Sequence, residues 1–275
     1  LRTCLIDREA WGGVCLNVGC IPTKALLYVA RMIRRLQQAP ALGITVHGYD
    51  LDYTAVRARN ERIISTLRRG LTDMLRRERV ELIAGSAAFE SPTQLAVTGQ
   101  DAARRIDAER VVIASGGRPM PGPWVLDERR IVSYRGLLAL ADVPKRLLII
   151  GGGVIGCEFA SCFSAFGSQV TIVEQQPQLL GGEDPEAVRW LVRRLESSGV
   201  SLRTGTTVQH LQTAREEVTA AFSDGTTHSA DCCLVAIGQR PNIESLQLSA
   251  ASVAWAGGVS VNALLRTSQP HIAAI

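Results

Sequence analysis

A three-layer α/β fold, with parallel strands covered by helices, is predicted by three observations in this 275-residue chain. A strand-like run, Thr3 to Asp7, passes through Gly12-Gly13 into a helix that carries Pro22 in its first turn. An apolar run, Lys145 to Ile150, passes through three glycines into a helical run from Cys157 to Phe166 and then into a strand, Gln169 to Glu174. That is a complete βαβ unit. At 46% hydrophobic residues the chain can also bury one large core or two medium ones.

The first of these elements carries two cysteines. Cys15 and Cys20 stand five positions apart, with four residues between them, in Gly12-Gly13-Val14-Cys15-Leu16-Asn17-Val18-Gly19-Cys20-Ile21-Pro22-Thr23-Lys24. Two thiols so placed can close a small disulfide and reopen it, and a thiolate at a helix start faces the positive end of the helix dipole. The chain has seven cysteines at irregular spacing, which excludes a disulfide scaffold and suits a reducing compartment. One redox pair and five buried thiols are expected. Lysine occurs only at 24 and 145 among 30 basic residues, so a lysine at 24 points to a need for an ammonium there.

Residues 54–80 are expected to be helical. Ile63, Ile64, Leu67, Leu71, Met74 and Leu75 recur at helical spacing, and the eight arginines of the stretch form its solvated side. With a net charge of only +4, that pattern argues against a nucleic-acid partner. Pro119, Pro121, Gly122 and Pro123 then make a stiff link, which places a domain boundary between residues 118 and 144.

The central βαβ unit has the spacing of a dinucleotide site. Gly151 and Gly153 let the backbone turn and approach a pyrophosphate, and the N-terminus of the helical run that follows faces the phosphates. Gly156 permits close packing of helix on strand, and Glu174 lies eighteen residues further on, where it accepts hydrogen bonds from a ribose. Glu174 would repel a 2′-phosphate, and no arginine follows at 175–180, so NAD is expected rather than NADP. Leu147 to Gly167 is the most apolar stretch, yet its glycines and Glu158 make it a strand, turn and helix rather than a membrane span.

The remaining elements continue the pattern. Asp184 caps and Pro185 opens a helix that runs to Ser197 and ends before Gly199. Val200 to Arg203 is a strand, and Glu217 to Phe222 forms a hairpin with Thr226 to Ser229 across Asp224-Gly225. Asp231 to Ile237 reads as a buried strand, with Cys232 and Cys233 as core thiols. No G-x-S-x-G turn or metal-ligand spacing supports hydrolase or metal chemistry.

The cysteine segment resembles the active-site signature G-G-x-C-x-N-x-G-C-x-P-[ST]-K of the class I pyridine nucleotide-disulfide oxidoreductases at every defined position, and most resembles the dihydrolipoamide dehydrogenase branch. The resemblance implies two Rossmann-like nucleotide-binding domains, for FAD and NAD, with β-hairpin and meander insertions. They would span 1–142 and 143–257, with 258–275 returning to the first. It makes Cys20 the thiol against the flavin, Cys15 the interchange thiol, and Lys24 and Glu158 an ion pair beside the flavin. Asp7, Gly13, Lys24, Ala87, Ser115 and Gly116 would contact FAD. Gly151, Gly153, Val154, Ile155, Gly156, Glu174, Val208, Ala236 and Gly238 would contact NAD.

Val111 to Pro119 resembles the crossing between the two domains, with Ser115 where Thr is usual. Ala236 to Asn242 resembles the segment under the nicotinamide. The family's first glycine turn, the Gly-Asp after residue 275, the interface domain and its His-Glu acid-base pair have no counterpart here, so an internal fragment of a longer homodimeric, cytoplasmic enzyme is expected. Its expected substrate is dihydrolipoamide, on a carrier domain of a 2-oxo acid dehydrogenase complex, with no membrane role. Mercuric- or glutathione-reductase-like activity, or a NAD-binding fragment without turnover, are the alternatives, and Glu174 argues against the NADP-linked glutathione reductases.

Overall fold

The computed structural model describes residues 2–99, 103–214 and 216–275. In chain order the elements are β1 (Cys4–Asp7), α1 (Gly13–Val18), α2 (Cys20–Gln38), α3 (Tyr53–Arg77), β2 (Glu81–Ser91), β3 (Gln94–Gly99), β4 (Arg104–Asp107), β5 (Val111–Ile113), β6 (Gly117–Pro119), β7 (Ile131–Val132) and α4 (Tyr134–Ala139). They continue with β8 (Arg146–Ile150), α5 (Val154–Ala165), β9 (Gln169–Val173), α6 (Pro185–Glu196), β10 (Ser201–Arg203), β11 (Val208–Ala214), β12 (Glu217–Phe222), β13 (Thr227–Ala230), β14 (Cys232–Val235), β15 (Gln239–Pro241) and β16 (Ile272–Ala274). The mixed α/β class read from the sequence is the one observed.

Two compact units share the chain. One comprises Leu1–Asn17, Ser65–Arg118 and Gln239–Ile275; the other comprises Val18–Ile64 and Pro119–Gly238. These divisions differ from the sequence boundaries at 142/143 and 257/258: residues 18–64 group with the second unit, because α2 packs on α5. The changes of unit fall at 118/119 and 238/239 instead.

In the first unit β1 runs parallel to β2, with Asp7 beside Ala84, and β2, β3 and β4 form an antiparallel meander. β5 and β16 pair in parallel. Phe89, Leu95, Ile113, Ile243, Leu248, Val253 and Ile272 bury their side chains together and form this unit's core. The meander replaces what the sequence left undivided between residues 81 and 107.

The second unit is built on a parallel five-stranded sheet in the order β10-β9-β8-β14-β7. Its central strands are apolar and buried from Leu147 to Ile150 and from Cys232 to Val235, as sheets covered on both faces require. An antiparallel meander, β11-β12-β13, packs on one face: Val208, Val218, Ala220 and Phe222 meet Leu148, Ile150, Val173, Cys233 and Val235. The hairpin and the Asp184 cap are where the sequence placed them; Asp184 Oδ1 accepts from the backbone N–H of Glu186 at 2.7 Å and of Ala187 at 3.3 Å.

Helix α5 covers the strands β8 and β9 and is itself covered by α2, so it is buried on nearly every side: Cys157, Phe159, Ala160, Cys162 and Phe163 are all core residues. This burial explains its lack of a polar face. On α2 the buried positions are Pro22, Thr23, Leu26, Ala30 and Ile33, a stripe at helical spacing. Gly13–Leu42 is long and apolar enough on composition to cross a membrane. Its helices are broken at Gly19, however, and α2 spends its apolar stripe as a core helix. Of the five cysteines expected to be buried, Cys157, Cys162, Cys232 and Cys233 are, whereas Cys4 is half-buried at the start of β1.

Candidate dithiol and dinucleotide sites

In the first unit, the turn before α1 brings the chain round for Cys15. Asn17 is its staple: Nδ2 donates to the carbonyls of Ala10, Trp11 and Gly13 at 3.2, 3.1 and 2.8 Å. Its Oδ1 accepts from Arg68 Nε and Nη2 at 2.9 and 2.6 Å. Arg68 had been read only as part of a solvated helix face; its partner is a motif residue, and no local pattern could have joined positions 17 and 68. Cys15 is exposed on α1.

Gly116 has φ +66° and comes to within 4.0 Å of Val14 Cγ2, measured from where its Cβ would stand. Asn242 holds this segment, donating from Nδ2 to the Ser115 carbonyl at 3.0 Å and from its backbone N–H to the Gly116 carbonyl at 2.9 Å. Arg118 bonds Asn242 and the carboxylate of Glu244, and this pairing holds the Glu244 carboxyl at about 2, well below its usual range. Asp7 ends β1, half-buried, and accepts from the Glu9 N–H at 2.8 Å. Ala87 pairs with Val97 beside the unit's core. Gly13 is left-handed, at φ +60°, with no atom within 4 Å of a Cβ placed on it, so a ligand can approach its backbone closely.

In the second unit, Cys20 is the exposed first residue of α2, and Thr23 Oγ1 donates to the Gly19 carbonyl at 2.7 Å just before it. One turn on, Lys24 Nζ lies 2.7 Å from Glu158 Oε1 on α5. The ion pair inferred from resemblance is therefore present, and it ties the helix of Cys20 to the helix of the glycine turn.

In the glycine turn Gly156 is close-packed and Gly153 is open, whereas Gly151, expected with Gly153 to approach a pyrophosphate, packs tightly against the end of β14. A Cβ at Gly151, where φ is +109°, would stand 2.4 Å from the Ala236 carbonyl oxygen. One at Gly156 would stand 2.1 Å from the Gly151 carbonyl oxygen. At Gly153 nothing lies within 4 Å and φ is ordinary, so the glycine there keeps open the space in front of the α5 N-terminus. Val154 is exposed beside it, and Ile155 and Gly156 follow in the first turn. Glu174 ends β9 with its carboxylate folded onto the turn: Oε2 accepts from the Gly152 N–H at 2.6 Å and Oε1 from the Gln176 N–H at 2.8 Å. These features fit a dinucleotide pyrophosphate and ribose.

Ala236 and Gly238 stand at the end of β14, where Gly238 has φ +127° and open space. Val208, by contrast, is buried in the core between meander and sheet, so its side chain is spent on packing. Burial pushes the Cys157 thiol up to about 11, reinforced by Glu174 and Glu158, which keeps this nearby sulfur inert.

The whole chain, residues 1–275, matches the family described as pyridine nucleotide-disulphide oxidoreductase. The chain belongs to this family. It is 35% identical to a dihydrolipoyl dehydrogenase of Bacillus subtilis over 273 residues, covering 98% of this chain and 60% of the relative. It is 35% identical to a dihydrolipoyl dehydrogenase of Zymomonas mobilis over 282 residues, covering 100% and 60%. Among solved structures it is similar to the HOCl-induced flavoprotein disulfide reductase RclA from Escherichia coli, with a TM-score of 0.87, 28% identity, and coverage of 100% of this chain and 60% of that one. LpdA from Mycobacterium tuberculosis gives a TM-score of 0.90 at 25% identity, with 99% and 61% covered. The chain thus spans about 60% of the length of the relatives it matches. As a pyridine nucleotide-disulphide oxidoreductase it carries the exposed Cys15 and Cys20 and the glycine turn described above.

Proposed function

We propose that this protein is a dihydrolipoamide dehydrogenase, which oxidises a dithiol through Cys15 and Cys20 and delivers the electrons to NAD. The observation that carries the reading is the 2.7 Å Lys24–Glu158 pair, which links the helix begun by Cys20 to the helix begun by the dinucleotide turn. Identity to dihydrolipoyl dehydrogenases over the whole chain supports it.

In this reading the oxidised enzyme holds a Cys15–Cys20 disulfide. A substrate thiolate attacks Cys15 Sγ, forming a mixed disulfide and releasing Cys20 as a thiolate. The second substrate thiol, losing its proton, attacks its own sulfur in the mixed disulfide. The cyclic disulfide product leaves, Cys15 departs as a thiolate, and two electrons now reside on the pair. Exposure of Cys15 suits it to the first attack. Asn17, held by Arg68, fixes the turn on which Cys15 stands.

FAD would be held by Asp7, Gly13, Lys24, Ala87, Ser115 and Gly116, and when bound it supplies the two-electron relay between a dithiol and a nicotinamide. NAD would be held by Gly151, Gly153, Val154, Ile155, Gly156, Glu174, Ala236 and Gly238, with Val208 supporting from the core. The domains proposed for these two roles are 1–142 with 258–275, and 143–257. A homodimeric parent in the cytoplasm, acting on dihydrolipoamide carried by a domain of a 2-oxo acid dehydrogenase complex, completes the proposal.

The test is turnover by the full-length protein. NADH-driven reduction should be fast with lipoamide and weak with glutathione disulfide or Hg(II), and should be abolished by Cys15→Ser and by Cys20→Ser. Turnover of glutathione disulfide with NADPH, lipoamide remaining inert, would overturn the assignment.

A further inference from the structure

A cleft in the second unit, remote from the glycine turn, collects four arginines. Arg31, Arg34 and Arg35 lie on one face of α2 at i, i+3 and i+4, Gln38 extends that face by a turn, and Arg194 reaches in from α6. Ser161, two turns along α5 from Val154, lines the opposite wall. The cleft encloses about 310 Å³, near the lower end of the roughly 300–1,000 Å³ typical of small-molecule sites.

Its charge is uncompensated. Among the described residues no carboxylate stands within 4 Å of Arg31, Arg34, Arg35 or Arg194. Like charges at i, i+3 and i+4 repel along a helix, so this arrangement works against the stability of α2. One of the four is also fixed in place. Arg34 donates from Nη1 to Ser161 Oγ at 2.8 Å, and from Nη2 to the Ser161 carbonyl at 2.6 Å and Ser164 Oγ at 3.2 Å. Burial and the facing Arg194 both press against the charge on Arg34. A guanidinium held by neutral oxygens, beside three others and with no carboxylate within 4 Å among the described residues, suits a site for an anion.

We propose that this cleft binds a small ligand bearing two or more phosphate groups. The planar guanidiniums of Arg31, Arg35 and Arg194 match phosphate oxygens in bidentate fashion, Arg34, whose Nη1 and Nη2 already bond Ser161 and Ser164, adds its charge, and a monocarboxylate would leave most of that charge unbalanced. The recessed shape favours a small molecule over a nucleic-acid strand, whose phosphates call for an extended stripe.

The test is titration of the full chain with sodium tripolyphosphate at constant ionic strength, followed by calorimetry. ATP without magnesium, sulfate and poly-glutamate are run in parallel. One saturable site is expected for tripolyphosphate and not for sulfate. Arg31→Gln and Arg194→Gln should each weaken it at least tenfold, while NADH binding stays within twofold of the original, which separates this cleft from the glycine turn. Arg34→Lys keeps a charge on α2 but gives up the bonds to Ser161 and Ser164, so it should lower the melting temperature while weakening tripolyphosphate binding less than Arg31→Gln or Arg194→Gln does. Equal binding of ATP and tripolyphosphate would mean that only phosphates are recognised; tighter ATP binding would add a nucleoside contact, and either result supports the proposal. Binding no stronger than sulfate, binding unchanged in Arg31→Gln and Arg194→Gln, or binding of poly-glutamate alone would overturn it, the last making the cleft a docking face for an acidic protein segment.

Discussion

Glu158→Gln separates what the Lys24–Glu158 pair does for folding from what it does for chemistry. The Lys24 side chain is more than half exposed, so water screens the attraction and the pair contributes about 1 kcal/mol or less to stability. The melting temperature should therefore fall by no more than about 3 °C. If the pair sets the polarity beside a flavin, stopped-flow reduction of the holoenzyme by NADH should slow about tenfold, a barrier increase near 1.4 kcal/mol. An unchanged rate would leave Glu158 as a structural link only. The cysteines divide just as sharply. Burial pushes the thiol of Cys232 up to about 12 and also raises those of Cys162 and Cys233, while Cys15 and Cys20 are exposed. After reduction of the Cys15–Cys20 pair, an alkylating reagent at pH 8 followed by peptide mass mapping should modify Cys15 and Cys20 first, half-buried Cys4 more slowly, and the four buried thiols only on unfolding. Early labelling of Cys232 or Cys233 would show that β14 opens locally.

The turn between β8 and α5 predicts opposite outcomes for two alanine substitutions three positions apart. Gly156→Ala drives a methyl to 2.1 Å from the Gly151 carbonyl oxygen, so the helix must shift off the strand, at a cost on the order of 1–3 kcal/mol. Gly153→Ala meets nothing within 4 Å and needs no unusual φ, so stability should hold, yet its methyl enters the space a pyrophosphate would take. Urea unfolding and NADH fluorescence titration should give a destabilised Gly156→Ala, and a stable Gly153→Ala that binds NADH at least tenfold more weakly. Normal NADH binding by Gly153→Ala would remove the turn from the dinucleotide assignment. Elements of this kind could be read from sequence because their chemistry restricts residue type: glycine in the turn, Asp184 at the cap, Asp224-Gly225 in the hairpin. The meander β2-β3-β4 could not. Its longest strand runs through Ala84, Gly85, Ser86, Ala87 and Ala88, small residues with no clear alternation, and the pairing of Ala87 with Val97 becomes evident only in the folded sheet.

Over the whole chain, what escaped the sequence is what depends on distant partners. The first unit is assembled from three separate segments, and α2 groups with the second unit through a helix more than a hundred residues away. Arg146 shows the same in a single network and makes stability depend on pH. Its guanidinium lies 2.6 Å from Asp231 Oδ1 and 2.5 Å from Glu217 Oε1, and its backbone N–H donates to Asp231 Oδ2 at 2.9 Å. Burial raises the Asp231 carboxyl, but the bonds from Arg146 outweigh it and hold the group below its usual range. Burial likewise opposes ionisation of Asp127, and the N–H groups of Arg130, Arg129 and Ile131 outweigh it. A carboxyl whose folded pKa lies below its unfolded value, near 3.9, contributes stability above that value and loses it as pH falls toward the folded one. His228 acts in the same direction from a higher pH. Burial, then Arg203 and Arg146, depress its imidazole, so folding disfavours the proton that the unfolded chain takes up below about 6.5. Thermal unfolding followed by circular dichroism should therefore show a shallow loss of stability beginning near pH 6.5 and a steeper one below about pH 4. His228→Asn should remove the first, and Asp231→Asn should lower stability at pH 7 while flattening the second. An Asp231→Asn curve parallel to the parent's below pH 4 would show that the Arg146 network is not what acid dismantles.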